Sequence, residues 1–362
     1  MQVQPPHITA DTVLPLTAAD YDAERAAMCE ALFAGGASAA YEIGAVACPG
    51  ISDLDVIARF PDHVDRGAAW RKVAEVLRAA RGFLHAPWAL PERHWSRLPS
   101  LFAVRQLRSL TTGAMSEVVP QTPVQQLVWN VEASASVRAM LQTRRRVTTR
   151  SALCLLNGVR YNTELAGDAV RAHAEVRAFG ERITSLRREW TARPPDDRLG
   201  ELRALWVLAA NVLDRVLAAC AAEVARQLHG DAGVATMRVP GTRTVYDFGG
   251  PDAPGSRSLA PNVVALPREL GALFALLARG TGLSRWLAVT PAGAASPVAP
   301  GFAAAVRAHA EANADYLRDM LGVRAPFLRL GGGTFAHLGQ TRLSRWLGML
   351  QRVRGRLATA WR

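Results

Sequence analysis

The chain of 362 residues is long enough for two domains of ordinary size, and with 49% hydrophobic and 20% charged residues it has the composition of a folded protein, not a disordered one. A net charge of +12 would suit an anionic partner such as nucleic acid, but almost every basic residue is arginine, with Lys72 as the only lysine. That bias, alongside abundant Ala, Leu and Val, is also what a GC-rich genome writes, so charge alone does not make nucleic acid the partner. The four cysteines, Cys29, Cys48, Cys154 and Cys220, show no metal-ligand spacing, and no secretory segment opens the sequence; reduced thiols in a cytoplasmic protein are expected. The most apolar runs, Ala204 to Leu213 and Leu273 to Ala278, are broken by Asp214, Arg215 and Arg279 before reaching the ~20 residues a bilayer needs, so no membrane span is expected.

In chain order, Met1 to Pro15 reads as a loose, proline-bearing lead-in. Thr17 and Asp20 form a capping-box variant that opens a helix carrying Tyr21, Ala27, Met28, Leu32 and Phe33, and Gly35-Gly36 closes it. Two β-prone runs follow, Tyr41 to Ala47 and Leu54 to Phe60. The Cys48-Pro49-Gly50 breaker between them predicts strand, tight turn, strand. Asp53 and Asp55 open the second strand. Side chains two apart on a strand share a face with α-carbons roughly 6.5 to 7 Å apart, so both carboxylates point to one spot. Two such anions repel unless neutralised, and a hard divalent cation with oxygen ligands, Mg²⁺, is the usual solution.

Gly44-Ala45, a short loop and then Ser52-Asp53-Leu54-Asp55-Val56 resemble the signature of the nucleotidyltransferase superfamily with the polymerase-β-like fold. The resemblance covers that motif and, by element order, residues 1–125 loosely; a helix just before the first strand suits the order. It implies that Asp53 and Asp55 are catalytic and hold Mg²⁺, that Gly44 and Ala45 let the backbone approach a nucleoside triphosphate, and that Ser52 donates to a phosphate oxygen. It further implies transfer of a nucleoside monophosphate to a hydroxyl acceptor, a small molecule or a macromolecule. Two features depart from the pattern: Ala45 stands where the family has a small hydroxyl residue, and the loop is shorter than usual. The family's third carboxylate comes from a strand beside the Asp-x-Asp strand. Phe83 to Leu90, the next extended candidate, carries none; its His85 stands where it could face the site, but as a lone histidine on an apolar strand it reads as a core residue. Leu101 to Leu107 and Ala114 to Val119 offer only Glu117. With the third acid unassigned, an inactive binding or scaffolding module is the alternative to an enzyme, and arginine-rich nucleic-acid binding is a further one.

A helix is predicted over Gly67 to Ala80, with Trp70, Val73, Val76 and Leu77 at helical spacing. Beyond Pro120 the pattern is mostly helical: Val124 to Gln142, Thr149 to Leu165, Asp168 to Thr191, and Leu199 to Leu228 after a proline-bearing linker. Arg144-Arg145-Arg146 suits a helix end by its charge. Val239 to Phe248 reads as a hairpin or irregular β piece, followed by helices at Pro267 to Leu277 and Phe302 to Met320. Gly331-Gly332-Gly333 lacks the Gly-Lys-Ser/Thr of a phosphate loop and reads as a turn before a basic segment, Leu338 to Trp361. No Gly-x-Ser-x-Gly, His-Glu-x-x-His or Gly-x-Gly-x-x-Gly occurs in a context that would make it chemical. The expected fold is α+β: a small mixed sheet in residues 1–125, and a mostly helical domain in 126–362 folded against the metal face. Asp53 and Asp55 would then floor a cleft, with Arg160 pointing in from the Asn157 to Asn162 segment.

Overall fold

The computed structural model describes residues 3–9, 13–64, 66–102, 104, 106–118, 120–227, 235–238, 245–248, 263–280 and 299–321. Its first part holds β1 (His7–Thr9), α1 (Ala18–Ala34), β2 (Ala39–Ile43), β3 (Asp55–Phe60), α2 (Arg66–Ala79) and β4 (Trp88–Pro91). A 3₁₀ turn (Glu92–Arg97), α3 (Leu98–Leu101), β5 (Gln106–Ser109) and β6 (Met115–Glu117) complete it. Helix α1 starts as expected: the Asp20 N–H donates to the Thr17 hydroxyl and the Thr17 N–H donates back to the Asp20 carboxylate at 2.6 Å.

The hairpin is wider than its sequence suggests. Gly44 takes φ +78°, a conformation that costs glycine nothing, and ends β2 at Ile43, so the strand does not run on to Ala47. Ile43 pairs with Asp55, which makes residues 44–54 a broad loop and not a tight turn, and puts Asp53 just ahead of the strand that Asp55 opens.

The sheet order is β4-β3-β2-β5-β6, with β3 and β4 parallel and the other neighbours antiparallel. One face packs Val56, Ala58 and Phe60 against Met28 and Leu32 of α1 and Ala69 and Val73 of α2. The other packs Ile57, Leu90 and Leu107 against Leu98, Leu101 and Phe102. Within the sheet, the buried Glu42 accepts two hydrogen bonds from Arg25 of α1 and another from Arg108 of β5, so its charge is neutralised where it lies.

The remainder runs α4 (Pro123–Thr143), β7 (Arg146–Thr148), α5 (Thr149–Leu165), α6 (Asp168–Arg171), α7 (Ala174–Arg188) and α8 (Pro195–Arg226). Three short strands follow, β8 (Thr236–Arg238), β9 (Val245–Asp247) and β10 (Val263–Ala265), and then α9 (Leu270–Gly280) and α10 (Pro300–Leu321). The predicted helix Asp168 to Thr191 is broken at Ala172-His173, because the His173 side chain accepts from the Glu175 N–H and caps α7. Helix α8 is long and apolar enough to cross a membrane by length and composition, contrary to the expectation from its interruptions. Here its Leu202, Leu205, Trp206, Leu213 and Val216 are buried in the helical core. The described part of Val239 to Phe248 falls on β9, which pairs antiparallel with β8. The triple glycine and the Leu338 to Trp361 segment lie outside the described residues, as does the side chain of Glu117.

Two long-range connections depart from the sequence reading. The described residues 3–9 of the lead-in are held in the fold: β1 pairs in parallel with β7, and Val3 and Ile8 are buried in the helical core. Helix α10 begins in that same core with Phe302, Val306 and Ala310, then crosses to the sheet. There Tyr316 is buried beside Leu90 and Phe102 and donates to the Ala89 carbonyl at 2.8 Å, and the Asn313 amide donates to Ser100 O at 2.8 Å.

Candidate metal centre

Two loops carry the site. The first, 44–54, is held from below by Arg150 in the first turn of α5. Buried at 4% exposure, Arg150 donates to the carbonyls of Ile51 at 3.2 Å and Ser52 at 2.7 Å. The Tyr21 hydroxyl donates to the Ser52 carbonyl and accepts from the Gly50 N–H. Gly50, at φ +82°, passes so close to Leu14 that an added Cβ would lie 2.1 Å from its carbonyl oxygen. The second loop, residues 80–87, is gripped by the same arginine, which donates to the carbonyls of Arg81 and Gly82. Glu24 of α1 accepts from the N–H groups of Arg81 at 2.8 Å and Gly82 at 2.7 Å. Arg150 and the Leu54 N–H, which donates to the Gly82 carbonyl at 3.2 Å, thus tie the two loops to each other, and Glu24 pins the second to α1.

That bracing delivers three side chains to one place. Asp53 Oδ1 accepts from the Leu84 N–H at 2.6 Å, which turns its Oδ2 toward His85 Nε2 at 3.4 Å. Asp55 Oδ1 lies 2.8 Å from the same nitrogen. Each residue offers one donor atom within 4.8 Å of the others, close enough to share a metal ion. His85 Nδ1 sits 3.0 Å from the Ala86 carbonyl, which can only accept, so Nδ1 carries a proton. Burial raises the Asp53 carboxyl to about 7, with the Asp55 charge adding to the rise and the His85 charge opposing it. Burial disfavours charge on His85, but its hydrogen bond to Asp55 and the charges of both aspartates prevail and hold it up at about 9.

Asp53, Asp55 and His85 line a cavity of about 580 Å³, together with Ile43, Gly44, Ala45 and Ser52 of the sheet side. The facing wall is helical: Cys154, Asn157, Gly158, Tyr161 and Glu164 of α5, and Arg187 of α7. Arg187 is 7% exposed; its Nη2 donates to Ser52 Oγ at 3.2 Å, while its Nε is sealed from solvent with no partner. Ser52 Oγ also accepts from the Cys48 N–H at 3.0 Å, which occupies both its lone pairs and leaves its O–H to donate.

Gly44, Ala45, Ser52, Asp53 and Asp55 therefore share one cavity, whereas Arg160 takes a different place from the one expected. Its guanidinium is bonded to Glu164 at 2.7 Å and Asn157 at 3.2 Å, stacks on Tyr161, and lines a neighbouring cavity with Arg171 and Arg177. The arginine facing the aspartates is Arg187, which no local pattern singles out from the many arginines of the chain. His85 is not on a strand but in the loop before β4, and it touches both carboxylates instead of the core.

The donor set fits a divalent cation, but its nitrogen is not the oxygen donor that magnesium prefers. Comparison with protein families, with curated proteins and with solved structures finds no match.

Proposed function

We propose that the protein is a divalent-metal-dependent nucleotidyltransferase, moving a nucleoside monophosphate from a nucleoside triphosphate to a hydroxyl acceptor. The observation that carries this reading is a convergence in one cavity. The residues that resemble the superfamily motif, Gly44, Ser52, Asp53 and Asp55, meet there a buried arginine with an unsatisfied N–H. A cation held at the aspartates would neutralise charge on the phosphates. The rest falls to the chain's own groups. Gly44 has nothing within 4 Å of where a Cβ would stand, so the backbone is open to an approaching phosphate. Arg187 offers a charge-assisted hydrogen bond to a phosphate oxygen, and the Ser52 O–H offers a second. On the facing wall, the half-exposed ring of Tyr161 is a surface on which a base can stack.

Calorimetry with a panel of triphosphates and a divalent cation tests the site. Asp53→Asn and Asp55→Asn should each weaken binding by about a hundredfold or more, since each removes a first-rank ligand. Unchanged triphosphate affinity in both variants would remove the metal role. A second reading is supported by Ala45 and by His85 in place of a third carboxylate: a binding module that takes the triphosphate without turning it over. Pyrophosphate release across a panel of hydroxyl acceptors, measured with the protein that binds, separates the two.

A further inference from the structure

We infer that the cavity selects a first-row transition ion of the Mn²⁺ to Zn²⁺ class over Mg²⁺, with His85 as its third ligand. The inference rests on the metal-binding half of the proposed function and not on the transfer chemistry.

Because β4 runs parallel beside β3, with Ile57 opposite Trp88, the residues leading into β4 arrive alongside Asp55. The side chain delivered there is an imidazole. Magnesium dehydrates reluctantly and takes oxygen donors, whereas imidazole nitrogen suits the later first-row ions.

The histidine is also built as a ligand. Nδ1 is committed to the Ala86 carbonyl, so Nε2 is the nitrogen presented to the two carboxylates, the arrangement in which an outer hydrogen bond fixes a metal-binding ring. The ring packs 4.6 Å from the Trp88 ring, and its loop is gripped by Arg150 and Glu24. Among the described residues the other carboxylate lining the cavity is Glu164, and it is bonded to Arg160. Three donors from one side leave coordination positions open to a ligand's oxygens.

The test uses the full chain, stripped with a chelator and dialysed, and titrated separately with Mn²⁺ and Mg²⁺ by calorimetry. Transition ions outbind magnesium at most sites, so the decisive comparison is with His85→Asp. Wild type should prefer Mn²⁺ by about a hundredfold or more, and His85→Asp should narrow that ratio by about tenfold or more. Pulsed electron paramagnetic resonance of the Mn²⁺-loaded wild type should show coupling to a ¹⁴N nucleus, lost in the variant. This wild-type measurement decides the matter even if His85→Asp does not fold. Mg²⁺ binding within tenfold of Mn²⁺ in wild type, a preference unmoved by His85→Asp, or Mn²⁺ bound without nitrogen coupling overturns the inference and leaves the proposed function standing. If neither ion binds, both fall.

Discussion

His85 lies against both aspartates, so the three groups share protons as well as space. Its folded value of about 9 lies above the ordinary 6.5, so the stabilisation it draws from the aspartates is fully present below pH 6.5 and lost as pH rises through 9. A shift of that size corresponds to about 3 kcal/mol. The raised Asp53 carboxyl works in the same sense at lower pH, its contribution falling away as pH climbs toward about 7. Chelated protein should therefore lose urea resistance between pH 6.5 and 9, and His85→Gln should flatten that slope. Parallel curves for the two proteins would contradict this account. At this scale the sequence was informative where residue type and spacing carry the chemistry, as with Asp53 and Asp55. It was silent on Arg187, because an arginine's partners are set by folding and its neighbours along α7 say nothing of Ser52.

The two site loops have no regular hydrogen-bond ladder of their own, and Arg150 supplies what they lack. It satisfies four carbonyls, those of Ile51, Ser52, Arg81 and Gly82, from inside the protein. Arg150→Met, close in length but without donors, should cost about 3 kcal/mol or more by leaving buried carbonyls unpaired. Metal affinity should drop with it, because Asp53 and His85 lose their common brace. Denaturant unfolding and Mn²⁺ titration measure the two effects, and a destabilised variant with wild-type metal affinity would refute the bracing role. Regular elements were read well where local signals are strong: Thr17 with Asp20, the start of α4, expected at Val124 and found at Pro123, and the α5 span Thr149–Leu165, which agrees at both ends. The strands were read poorly. They are three to six residues long, and β2 is ended by the positive φ of Gly44, where the apolar run would have carried it on.

Across the molecule, sheet and helices are joined by segments far apart in sequence. β1 pairs with β7, and α10 has its first turns in the helical core and its last against the sheet. No local periodicity could announce either connection, since each depends on partners more than a hundred residues away. A shared helix makes independent opening of the two parts expensive, so amides of β3 and α8 should exchange with the same free energy, and Tyr316→Ala should lower both by about 3 to 5 kcal/mol. Hydrogen exchange followed by mass spectrometry reads this; protection lost from β3 alone would show that α10 does not couple them. Helix α5 is the other long-range link, and its two ends do different work. Arg150 anchors the foot beneath the loops, while Asn157, Tyr161 and Glu164, two to four turns along, form the facing wall. Substitutions on the outer turns can change what the wall recognises without disturbing the foot. A lineage carrying this helix can thus change the facing wall while inheriting the Asp53, Asp55 and His85 cluster intact, and a library randomised at the three wall positions starts with the same freedom.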